Sequence, residues 1–209
     1  QSQRLLDFLG IPWVQAPAEG EAQASAMARA GSAWGVVSQD YDALLFGAPV
    51  LVKNLAITGK RKLPRKRVFV DVEPEEIRLD RVLQSLNVRQ EQLVDIGILI
   101  GTDFNEGVHG IGPKKALAAI RKHGTVEAAL AEAGVEIEGL DEVREIFLHP
   151  RVDPEVLPTW REPDLLGAKG MLCDEFDFSP ARVEPALVKF AEGRKAAGQA
   201  SLDAFSAGS

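Results

Sequence analysis

Two acidic pairs share one internal spacing, Glu19 with Glu21 in APAEGEAQA and Asp40 with Asp42 in VVSQDYDALLFG, and each follows a short apolar run. Gln1 to Ile11 reads as the end of a helix returning to a strand, and Trp34 to Val37 as a short buried strand. Residues i and i+2 of an extended chain point the same way, so each pair can offer two oxygens to one spot if the backbone stays extended. That spot lies beyond the carboxyl end of a strand, where open α/β sheets place their sites. A structural alternative stands beside this one. Acidic residues at the start of a helix over Gly20 to Ala30 complement its dipole, and Asp40 and Asp42 serve equally well as turn and capping residues.

A third acidic position adds weight to the first reading. The apolar run Ile96 to Ile100 ends in Gly101-Thr102-Asp103, and HGIGPKKALAAI follows shortly after. Gly110-Ile111-Gly112 forms a tight turn that exposes backbone N–H groups, Pro113 suits the first position of the next helix, and Lys114 and Lys115 flank its positive end. Such a combination holds a phosphate. A bare G-x-G marks an ordinary helix-helix turn just as well, but the longer string sets a phosphodiester anchor close in sequence to a carboxylate suited to metal.

Coarse organisation follows from the punctuation. Alternating short strands and helices up to Val72 suggest an α/β fold with a partial parallel-sheet core, after which helices dominate: Glu75 to Leu86, Glu91 to Ile100, Pro113 to His123, Val126 to Ala133 and Asp141 to Leu148. The proline-rich HPRVDPEVLPTWREPD cannot be continuous helix and is expected to be an ordered loop. A last helix is expected over Pro180 to Ala196, with a small, polar, disordered tail from Ala197. The expected divisions are 1–100, 101–196 and 197–209.

The chain has 209 residues, 45% of them hydrophobic, enough for one sizeable core. The single cysteine, Cys173, excludes an internal disulfide and a multi-cysteine zinc site, and His109, His123 and His149 lack ligand spacing. Oxygen donors therefore point to magnesium or manganese. The net charge of −7 argues only superficially against nucleic acid, because local distribution decides. Residues Lys60 to Arg67 carry six positive charges between the strand-like runs Pro49 to Ile57 and Val68 to Val72. Lys60, Arg61 and Lys62 thus belong to a basic hairpin, either a solvated turn or, beside a phosphate-binding turn, a DNA contact. No apolar run is long enough to span a bilayer.

The stretches APAEGEAQA, SQDYDALLFG, GKRKLPRKRVFV, ILIGTDFNEGVHGIGPKKA and LCDEFDFSPARVE, in this order over nearly the whole chain, resemble the archaeal flap endonucleases among the XPG-type structure-specific nucleases. The resemblance implies a nuclease core over 1–100, lacking its N-terminal portion, and a helical region with a helix-two-turn-helix that grips duplex DNA through Gly101, Gly110, Gly112, Lys114 and Lys115. It implies that Glu19, Glu21, Asp40, Asp42 and Asp103 are catalytic and help bind two divalent metals, Mg2+ or Mn2+. Carbonyls around Gly107, Val108 and Ile111 are implied as a site for a monovalent cation such as K+. In the tail, Gln199, Leu202 and Phe205 resemble the sliding-clamp-binding box of these nucleases, with Ser206 in place of the second aromatic, which implies weak clamp binding.

Family members open with a domain that supplies two further metal-binding aspartates and a basic arch. None of that is in this sequence, so the expectation is a fragment, inactive alone, of a 5′ flap endonuclease acting on branched DNA in replication and repair. The expected state is a monomer in the cytoplasm, at the archaeal nucleoid, with no membrane partner. Two rival readings are a noncatalytic DNA-binding and clamp-tethering module and a junction-resolving or repair nuclease of the same family.

Overall fold

The computed structural model describes residues 1–55, 59–62, 69–153 and 155–206. Contacts divide the chain into two compact units, one of Gln1–Val14 with Leu157–Ser209 and one of Gln15–Val156. The cut expected at residue 100 is not among them. The helix that ends there is the centre of the larger unit, so the strand and helical regions share a core.

That helix, α5 (Gln90–Ile100), buries Leu93, Val94, Asp95, Ile96, Ile98 and Leu99, leaving it apolar on nearly every side as only an interior helix can be. On one side it meets α2 (Gly20–Arg29), α3 (Asp42–Leu45) and a three-stranded sheet, and on the other α6 (Pro113–His123), α7 (Val126–Ala133) and α8 (Leu140–Leu148). The sheet is mixed. Its strands β1 (Val36–Val37) and β2 (Val50–Lys53) run parallel, and β5 (Glu75–Arg78) lies antiparallel to β2 with Leu51 opposite Ile77. Glu75 to Arg78 was expected to open a helix; instead backbone pairing with β2 holds it extended, and α4 begins at Leu79 and ends at Leu86. β3 (Lys60–Lys62) and β4 (Phe69–Asp71) form the arms of the basic hairpin, Arg61 opposite Val70. The rest of that basic run, 63–68, lies outside the described residues.

One charged network crosses this core. Asp95 is 4% exposed and accepts from the Val126 backbone N–H at 3.2 Å and from Arg144 at 2.9 and 3.1 Å, while Arg144 also donates to Glu127. Burial pushes the Asp95 carboxyl up despite the guanidinium, whereas the Arg144 hydrogen bond lowers Glu127 to about 2. The proline-rich stretch is irregular as expected, and buried Gln23 clasps it by donating to the Asp153 carbonyl and accepting from its N–H, both at 2.8 Å.

In the smaller unit α1 (Ser2–Phe8) packs on α9 (Leu165–Gly170) so closely that a Cβ at Gly167 would stand 2.5 Å from the Phe8 ring. Asp164 caps α9, and Arg4 pairs with Glu175 in the π-helical turn Met171–Glu175. The last helix, α10, runs Pro180–Ser206. It continues past the end expected at Ala196 because Ala197, Gln199, Ala200 and Leu202 are good helix formers around a single Gly198. Gln199, Leu202 and Phe205 therefore lie on helix, and their side chains are outside the described part. Among the described residues no helix is long and apolar enough to cross a membrane.

Candidate active site

Neither acidic pair is held on extended chain. Glu19 is the residue before α2 and Glu21 lies in its first turn, while Tyr41 is already helical (φ −90°, ψ −4°) and Asp42 opens α3. The dipole and turn alternative thus describes the backbone. Convergence comes from how the helices are tied. Ser25 of α2 donates to the Ala43 carbonyl of α3 at 3.3 Å, Arg29 donates to the Phe46 carbonyl, and Gln90 at the start of α5 donates to the Leu44 and Leu45 carbonyls at 2.9 and 2.8 Å. These bonds fix α2, α3 and the start of α5 to one another, and the acidic residues ride on α2, on the turn into α3 and on the turn that follows α5.

The electrostatics record that meeting. The Asp42 carboxyl is pushed up from its ordinary value by burial and then by the negative charges of Glu21, Asp103 and Asp40. Four of the five expected carboxylates therefore share one field. Asp40, Asp42 and Asp103 line a cavity of about 660 Å3 whose other walls include Leu45, Ile96 and Ile100. Glu19 is the exception: it borders a separate cavity of about 460 Å3 with Phe46 and Ile146.

Ser38 links two of the acidic elements, a role that sequence reasoning missed. Its N–H donates to the Val52 carbonyl at 3.2 Å, its hydroxyl donates to Glu21, and that same oxygen accepts from the Asp40 N–H at 3.1 Å. Tyr41 was missed as well; its ring carries the Lys53 ammonium 3.5 Å from the centroid. A serine two residues before an aspartate is a common turn pattern, so nothing in the string singled either out.

Asp103 sits on a turn built by its neighbours. The Thr102 hydroxyl donates to Asn105 Oδ1 at 2.8 Å, Asn105 Nδ2 donates to the Ile98 carbonyl at 2.8 Å, and the Val108 N–H donates to the Leu99 carbonyl at 2.9 Å. Gly107, at φ 71°, passes so near α5 that a Cβ would lie 2.5 Å from the Ile100 carbonyl oxygen, so only glycine fits. Gly101 ends α5, and the Ile111 N–H donates to the Val108 carbonyl at 3.0 Å. Gly110 and Gly112 are exposed with open space where a Cβ would be, and Gly112 precedes Pro113 at the start of α6. Lys114 is exposed, and Lys115 turns its ammonium onto the Gly110 carbonyl at 2.9 Å. The side chains of Lys60, Arg61 and Lys62 lie outside the described part.

Among the described residues no three His, Cys, Asp or Glu side chains stand close enough to hold an ion unaided. The donor set still fits a hard divalent cation. Magnesium commonly takes one or two carboxylates and completes its shell with waters and substrate phosphates, and a cluster whose own charges raise Asp42 is relieved by such an ion.

Residues 10–103 match the XPG I-region family. Flap endonuclease 1 of Methanosarcina acetivorans is 51% identical over 204 residues, a match that takes in 97% of this chain and 60% of the relative. The solved flap endonuclease-1 from Methanococcus jannaschii superposes with a TM-score of 0.75 at 42% identity, over 90% of this chain and 55% of that one. The catalytic core of Rad2 in complex with DNA substrate reaches a TM-score of 0.71 over 90% of this chain and 66% of that one; at 20% identity it speaks for the fold alone. The chain thus spans 54% to 60% of the length of the curated relatives it matches. Half its residues are shared with archaeal flap endonucleases along nearly its whole length, on a common fold, so the chain carries the XPG I-region and is similar to those nucleases.

Proposed function

We propose that this chain works as part of a structure-specific 5′ flap endonuclease, hydrolysing a phosphodiester bond of branched DNA in replication and repair. The observation that carries the reading is the convergence of Glu21, Asp40 and Asp103 on the half-buried Asp42 at the edge of a cavity. Glu21, Asp40 and Asp42 would hold the metal directly, and Asp103 and Glu19 through ordered waters. When bound, two Mg2+ or Mn2+ ions supply a polarised phosphate, an attacking water of lowered pKa and a neutralised leaving oxygen.

The chain's own residues place the DNA. Gly110 and Gly112 let the sugar-phosphate backbone approach the N-terminus of α6, within a helix-two-turn-helix, and Lys114 and Lys115 add positive charge there. Lys60, Arg61 and Lys62 on the basic hairpin would take phosphates further along the duplex. Carbonyls of Gly107, Val108 and Ile111 would hold K+ in the turn that joins this anchor to Asp103. Gln199, Leu202 and Phe205 would meet a sliding clamp weakly. The protein would act as a monomer at the nucleoid of an archaeal cytoplasm.

A labelled 5′-flap duplex with magnesium tests this reading. The chain alone should bind without cutting. Joined to the N-terminal part of the Methanosarcina acetivorans relative it should cut, and Asp40→Asn should abolish the cut. Efficient incision by the chain alone, or none by the joined protein, would contradict the proposal.

A further inference from the structure

Tyr41 stands between Asp40 and Asp42 with 56% of its surface exposed, an unusual place for a large ring that contributes little to the core. Lys53, the last residue of β2, covers one face with its ammonium, and the sheet fixes where that ammonium can reach. The cation–π contact steadies the ring against its own rotation. Tyr41 also lines the cavity that holds Asp40, Asp42 and Asp103. A phosphate is drawn to the cations those carboxylates would hold, and the open part of an uncharged ring offers it nothing. A flat π-face suits another planar group, and the planar groups of a branched DNA are its nucleobases.

We propose that Tyr41 is a stacking platform for a nucleobase next to the bond that is cut, held in place from behind by Lys53. The proposal rests on the flap-nuclease reading above. A base at a branch has already lost one stacking neighbour, and an aromatic ring accepts any base because each has a π-face. Tyr41 would thereby set which nucleotide stops beside the carboxylates without reading its identity.

The test is photochemical. A 5′-flap duplex carrying 5-iodouracil at an unpaired position beside the branch is bound by the chain in calcium and irradiated, and the attached peptide is mapped by mass spectrometry. Cross-linking is expected at Tyr41 and at the same position in Tyr41→Phe, and not there in Tyr41→Ala or Tyr41→Leu. Tyr41→Ala should weaken binding about tenfold with an unchanged salt slope, while Tyr41→Phe binds like the parent. Should Tyr41→Ala fail to fold, Tyr41→Leu, which keeps bulk without a π-face, decides alone. Salt-dependent binding with no cross-link at Tyr41, or equal losses in Tyr41→Phe and Tyr41→Ala, would overturn the platform and leave the nuclease reading standing. No binding by the parent chain would overturn both.

Discussion

A serine hydroxyl donates once and can accept twice, and Ser38 uses both capacities inside the acidic corner. Its proton goes to Glu21 and its lone pair to the Asp40 N–H, so one small group sets the distance between a carboxylate on α2 and the turn into α3. Groups of this kind orient metal ligands, and their loss typically costs at least about tenfold in metal affinity. Calorimetric titration with Mn2+ should find Ser38→Ala about tenfold weaker and Ser38→Thr close to the parent, with unfolding temperatures nearly equal. Equal affinity in all three would reduce Ser38 to a turn residue. The acidic positions were plain in the string, but what gathers Glu21, Asp40 and Asp103 around Asp42 was not: it is the packing of helix starts and not the extended backbone that the two-residue spacing suggests. Ser38 and Tyr41 were not plain either, since their roles depend on what α2 and β2 bring alongside.

Elements of the larger unit are tied by polar bonds across an apolar interior, and one of these ties, away from the acidic corner, joins Arg144 of α8 to Asp95 of α5. Removing one partner of a buried ion pair strands the other charge, at a cost of about 3 kcal/mol or more. Arg144→Met should lower stability in urea by about that amount, and Asp95→Leu in the same chain should recover much of it. No loss in the single variant would contradict the network. Glu127 adds a pH signature. Its carboxyl falls from an ordinary 4.5 to about 2 in the folded chain, so its contribution is complete above the ordinary value and disappears as pH drops from there to about 2. Glu127→Gln should accordingly lose less stability than the parent over that acid window. The helices from α5 to α8 were plain in sequence from periodicity and from Gly and Pro punctuation. Glu75 to Arg78 was not, because charged residues on an edge strand carry no strand signal until β2 pairs with their backbone.

On the scale of the molecule, a net charge of −7 is compatible with the proposed DNA substrate because charge is segregated. Acidic residues gather around Asp42, and basic ones flank the turn at α6 and the β3–β4 hairpin. The turn from Asp103 to Gly112 makes these two regions neighbours along the chain, and Asn105 and Gly107 pin it to α5. The acid-rich corner carries its own repulsion, which a bound ion would convert into stability. At ten times its dissociation constant a ligand adds about 1.4 kcal/mol to the folded state. For a chain of this size that raises the unfolding temperature by about 3–5 °C. Thermal unfolding of the parent and of Asp42→Asn, with and without millimolar Mg2+ or Mn2+, measures this directly. Metal should raise the parent's unfolding temperature, and Asp42→Asn should raise the metal-free value while erasing the response to metal. A parent indifferent to both ions, with Asp42→Asn melting at the same temperature, would contradict metal binding at this corner.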